Sequence, residues 1–75
     1  MHKYLNRNGN SSVIGYSTTA DSITVWFEKG GVYEYTYTST GRANVEEMKS
    51  LAYAGAGLGS FINKFVRKAY SRKIA

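Results

Sequence analysis

The sequence predicts an α+β fold: a three-stranded antiparallel β-meander followed by two α-helices packed on one face of the sheet. Three observations predict it. Ser22 to Thr38 reads as a hairpin whose arms both alternate with a period of two around Gly30-Gly31. Two later stretches, beginning at Asn44 and at Ser60, carry apolar residues at helical spacing. A three-stranded meander also leaves one apolar face that something must cover.

Seventy-five residues make one domain near the lower limit for a self-sufficient core. Hydrophobic residues at 43% and aromatics at 15% argue for a folded chain. With no cysteine, neither a disulfide nor a thiolate metal site holds it together, and no cofactor is expected. No apolar run approaches the roughly 20 residues that cross a bilayer. Residues 1 to 12 are too polar for a signal peptide, so a cytoplasmic protein with no membrane partner is expected.

Residues 1–12, turn-rich around Asn8-Gly9-Asn10, read as a flexible lead-in from which Tyr4 and Leu5 touch the core. His2, beside Met1, reads as frayed. The domain proper is expected over 13–71, with a basic tail at 72–75. Val13 to Ser17 is a short strand, and Gly15 within it marks a bulge or a close backbone approach. Thr18 to Asp21 is a turn into the hairpin.

The hairpin admits two registers, and a one-residue slip between them exchanges faces. With a three-residue loop Lys29-Gly30-Gly31, Phe27 faces Tyr33, Val25 faces Tyr35 and Ile23 faces Tyr37. The tyrosines then join the aliphatic face. With Gly30-Gly31 alone as the loop, Trp26 faces Tyr35 and the tyrosines form an exposed aromatic platform. The first register gathers most apolar side chains on one side and is preferred for that reason.

Asn44 is read as an N-cap, with Glu47 three residues on as in a capping box. Val45, Met48, Leu51 and Ala52 form the apolar stripe, with Lys49 off it, and the helix should stop near Gly55. Gly55-Ala56-Gly57-Leu58-Gly59 is read as an inter-helix turn, because no Lys-Ser/Thr follows in phosphate-loop spacing. The last helix is expected from Ser60 as N-cap to about Ser71. Phe61, Ile62, Phe65, Val66 and Ala69 should face the sheet, with Lys64, Arg67 and Lys68 opposite and Arg72 and Lys73 at the end.

In order along the chain, several of these residues resemble the KTSC domain, a short module named after the C-terminus of some lysyl-tRNA synthetases. The resemblance lies in Ser11-Ser12 before Gly15-Tyr16, then Ile23-x-Val25-x-Phe27, then the Gly30/Gly31 reversal and Tyr33-x-Tyr35. It closes with Gly59-x-Phe61-x-Asn63, Val66-Arg67 and Tyr70, and so spans roughly residues 11 to 70. The chain departs from the family in having no Val-Pro element after Tyr-x-Tyr, and in Gly57 where a serine is usual. The resemblance implies a β-meander with two helices, and an association with RNA.

Nothing in the sequence has the pattern of a catalytic site. There is no His-carboxylate pair and no metal-ligand spacing, and the five acidic residues form no evident acid/base dyad. A binding module without a small-molecule substrate is the expectation. The formal net charge is +5, and all five charged residues after position 60 are basic. Such a distribution favours RNA or single-stranded nucleic acid, held by a cationic track with aromatic faces for the bases. The track would be Lys64, Arg67, Lys68, Arg72 and Lys73, with stacking from Trp26 or Tyr70 and a base-edge contact from Asn63. The alternative is a protein partner, a host protein or a second copy of the chain. It would dock on the outer sheet face around Trp26 or along an exposed hairpin edge.

Overall fold

A computed structural model describes all residues, 1–75, and shows an α+β molecule built on one five-stranded antiparallel sheet. The strands are β1 (His2–Lys3), β2 (Val13–Thr19), β3 (Ser22–Phe27), β4 (Gly31–Thr36) and β5 (Arg72–Lys73), and each pairs with its neighbours in sequence. Three helices follow β4: α1 (Tyr37–Thr40), α2 (Arg42–Ala54) and α3 (Leu58–Phe61). The last runs on into a π-helical segment, Ile62–Val66.

The predicted meander is the centre of this sheet, β2-β3-β4. The two outer strands fall in the residues that the sequence marks as lead-in and tail. His2–Lys3 pairs with Gly15 and Tyr16 of β2, and Arg72–Lys73 pairs with Tyr33 and Glu34 of β4. These dipeptides show no periodicity of their own, because two-residue strands are recruited by the open edges they close. Tyr4, next to β1, is 2% exposed, and its hydroxyl accepts the Leu58 N–H at 3.2 Å. Leu5 is 57% exposed and packs on Gly55.

The bulge expected at Gly15 is present: pairing with β3 shifts between Val13, opposite Phe27, and Gly15, opposite Trp26. The hairpin has the predicted face assignment with a different register. Glu28-Lys29-Gly30 is the loop, so Phe27 faces Gly31, Val25 faces Tyr33 and Ile23 faces Tyr35. Two residues of shift keep the parity, so Tyr33 and Tyr35 still join the aliphatic side, whereas Tyr37 leaves the sheet for α1. Gly31, at φ +90° against the Ala75 carbonyl, takes the first pairing position because no side chain fits there.

Three boundaries move after the hairpin. The stretch read as a loop from Ser39 holds a helical turn, α1, with Thr36 and Ser39 forming its capping box. Asn44 lies inside α2, donating to the Thr40 carbonyl at 3.0 Å, and Gly41 precedes the helix. Gly57, rather than Ser60, precedes α3. As expected, α2 ends at Gly55, which is left-handed at φ 75° and donates to the Ala52 and Leu51 carbonyls.

Ile23, Val25 and Tyr35 of the sheet pack with Val45, Met48 and Ala52 of α2, and with Leu58, Ile62 and Val66. The stripe on α2 is as predicted, with one addition. Lys49, read as off the stripe, is 8% exposed, and its ammonium donates to the Thr19 and Ala20 carbonyls at 2.8 and 3.1 Å. It also pairs with Glu46 of the same helix at 3.0 Å, while its bonds to the two carbonyls fasten α2 to the β2–β3 turn.

Candidate functional site

The π-helical segment decides which side chains reach the surface groove beside β4. Its i→i+5 hydrogen bonds take an extra residue into the turn. Ile62 and Val66, four apart, share the core side as they would in a regular helix, whereas Phe65 is swung out to 62% exposure. Phe65 was expected on the sheet-facing arc of a regular helix, and the wider turn overrides that. Helical structure also stops at Val66 instead of Ser71. The chain then turns back to the sheet, where the Ser71 N–H donates to the Glu34 carbonyl at 2.6 Å.

The return brings Tyr70 onto the tyrosines of β4. Its ring lies 4.7 Å from that of Tyr33 and 6.4 Å from that of Tyr35, and Phe27 stands edge-on to Tyr33 at 5.9 Å. These four rings line a groove of about 500 Å³, with Ile62 and Asn63 on its helical wall and Lys29 and Arg67 among its lining residues. No acidic side chain lines it. Burial, with Tyr33 and Tyr70 close by, pushes the Tyr35 phenol up to about 12, so that phenol is uncharged at neutral pH.

A second, smaller cleft of about 230 Å³ adjoins it and shares Ser12 and Asn63 as lining residues. One wall is the loop Asn6 to Ser12, the other Ala56 to Ser60. Asn6, at φ 54°, closes the loop by exchanging hydrogen bonds with the Ser11 backbone. Gly59 is held against Ser11: a Cβ there would lie 2.8 Å from the Ser11 Oγ, which already accepts the Val13 N–H. The serine pair and the Gly59-x-Phe61-x-Asn63 stretch, nearly fifty residues apart in the sequence, thus meet in one place.

The residues expected to contact nucleic acid divide into three groups. Asn63, Arg67 and Tyr70 line the aromatic groove, and Lys73 stands at its edge with its ammonium 5.9 Å from the Tyr33 ring centroid. Lys64 and Lys68 are exposed outside it, Lys64 5.8 Å from the Phe65 ring centroid. Arg72 pairs with Glu34 at 3.1 Å, and Trp26, opposite Val32, points to the other side of the sheet. The continuous track along the last helix is therefore not formed, because the helix ends before Arg72 and Lys73. Tyr35, expected to be core when the tyrosines join the aliphatic face, is 2% exposed and only borders the groove. Phe27, Lys29 and the polar cleft were not foreseen as site residues. They come from the hairpin turn and the lead-in, and no local pattern ties those segments to the last helix.

No group of three or more His, Cys, Asp or Glu side chains is placed to hold a metal ion. No helix is long and apolar enough to cross a membrane. Comparison with family models, curated proteins and solved structures gives no match.

Proposed function

We propose that this protein is a non-catalytic module that binds single-stranded nucleic acid, RNA above all, in the groove between β4 and the last helix. The observation that carries the reading is the grouping of Phe27, Tyr33, Tyr35 and Tyr70 in one groove with Arg67 and Lys29 and no carboxylate. Exposed aromatic faces, Tyr70 first with Tyr35 buried beneath, take unstacked bases at about 1–3 kcal/mol per base, and the cations take the backbone. Asn63 and Ser12 offer neutral hydrogen-bonding groups beside them. The KTSC-like residues Tyr33, Tyr35, Asn63, Arg67 and Tyr70 all belong to this groove, which accords with the RNA association that the resemblance implies.

Fluorescence anisotropy with labelled single-stranded RNA, single-stranded DNA and duplex DNA across a salt series tests the reading. Single strands should bind more tightly than duplex. A fourfold rise in salt should weaken binding roughly twentyfold if about three phosphates are neutralised. Tyr70→Ala and Arg67→Ala should each weaken it by about fivefold or more, whereas Trp26→Phe should leave it unchanged. No binding at low salt would overturn the proposal.

One observation favours the alternative, a protein partner. Phe65 is 62% exposed with its ring 5.0 Å from that of Phe61, an aromatic patch on the outside of the last helix. Affinity capture that yields one stoichiometric, nuclease-resistant partner, lost in Phe65→Ser, would move the assignment to that surface.

A further inference from the structure

The cleft between the Asn6–Ser12 loop and the Ala56–Ser60 turn differs from the aromatic groove in one chemical respect. It is lined by amides, hydroxyls and glycines, and contains no charged side chain of either sign. A phosphate is bound most strongly beside a cation, and an ammonium ligand beside a carboxylate or in an aromatic cage, and the cleft has neither charge. An uncharged lining with many donors and acceptors suits a neutral, hydroxyl- and amide-bearing group. Asn6 and Ser11 are occupied with bonds inside the loop, which leaves the side chains of Asn8, Asn10, Ser60 and Asn63 for a ligand. Asn63 and Ser12 stand in both cavities, so a strand whose base stacks in the groove carries its next sugar and base edge into this cleft.

We infer that the polar cleft is a ribonucleoside subsite, in which neutral side chains hydrogen-bond a ribose 2′-hydroxyl and the edge of the attached base. The cleft therefore makes the protein selective for RNA over DNA. This rests on the groove's binding a single strand. The 2′-hydroxyl is the feature that distinguishes the two sugars, and it is both donor and acceptor, which matches amide and hydroxyl partners. The division of labour is testable because the two cavities use different residues: cations and rings set affinity for any single strand, and the asparagines set the sugar preference.

The experiment measures affinities of a twelve-nucleotide oligouridine and of the same oligomer with 2′-deoxyuridine, which changes the sugar and nothing else. The parent protein, Asn8→Ala/Asn10→Ala and Arg67→Ala are compared at one salt concentration. The parent should prefer the ribo-oligomer by about tenfold, the equivalent of one to two hydrogen bonds. The asparagine variant should bring that preference to within about twofold by weakening the ribo-oligomer alone. Arg67→Ala should weaken both oligomers by the same factor. Both asparagines are exposed and outside the core, so the variant should keep its melting temperature. Equal affinity of the parent for the two oligomers, or an asparagine variant that loses both equally, would overturn the subsite and leave the groove. Absence of binding to either would remove both.

Discussion

At Gly59 a missing side chain does the work of a specific contact. The helix tolerates any residue there by conformation, and alanine would even favour the helical state by up to about 1 kcal/mol. The obstacle is Ser11 Oγ, 2.8 Å from where the methyl would sit and committed to the Val13 N–H. Gly59→Ala should therefore push that hydroxyl away; the broken bond costs about 1 kcal/mol, the helical gain offsets part of it, and a small net loss remains. Ser11→Ala should cost the bond without that gain, and Gly59→Ala added to it should cost nothing or stabilise slightly. Denaturant melts of the two single variants and the double variant form the cycle that measures this coupling. Additive losses would mean that Ser11 and Gly59 are independent, and the junction between loop and helix looser than described.

Among the elements, the short terminal strands show best what the sequence alone conveys. Period-two alternation marked β2 to β4, and helical spacing marked α2 with its stop at Gly55, since each buries one side of a long enough run to show a period. β1 and β5 bury nothing, and all four of their residues are exposed. What places β5 is the backbone: the Ile74 N–H donates to the Val32 carbonyl at 2.7 Å and the Val32 N–H to the Ala75 carbonyl at 3.0 Å. Such partners carry no side-chain signature. The candidate site was legible to the same degree. Asn63, Arg67 and Tyr70 were found because they lie together on one segment, whereas Lys29 and the asparagine loop reach it through tertiary structure. Phe65 was misplaced because a π-helical turn has no local marker in composition. Deleting Arg72–Ala75 should leave β4 as an open edge, lower the stability by about 1–2 kcal/mol and promote concentration-dependent self-association. Thermal melts and sedimentation velocity read both, and an unchanged melting point would make β5 incidental.

For the molecule as a whole, stability in alkali should depend on Tyr35. Its folded-state phenol is raised to about 12 from an ordinary value of 10.0, first by burial and then by the proximity of Tyr33 and Tyr70. A group whose folded pKa lies above its unfolded one contributes stability that is complete below pH 10 and is lost as the pH climbs through 12. Urea unfolding at stepped pH should show that decline, and Tyr35→Phe should flatten it while retaining the ring in the core. An identical slope in the variant would mean that another phenol carries the alkaline transition. Glu46 acts at the other end of the scale. The Tyr37 hydroxyl donates to it at 2.6 Å and Lys49 pairs with it, and together they hold its carboxyl below the usual range. Its contribution is present above the ordinary carboxylate value and fades as the pH falls below it.

The sheet separates the chain's aromatic side chains in a way that has an optical consequence. Trp26 is the only tryptophan, and it points away from the groove, while Tyr33, Tyr35 and Tyr70 stand inside it. The molecule therefore carries two built-in emitters on opposite faces of one sheet. Red-edge excitation, absorbed by indole alone, follows the integrity of the strands and excites none of the seven tyrosines, the three of the groove included. A ligand that enters the groove should therefore leave the indole emission unchanged, whereas denaturation should shift it.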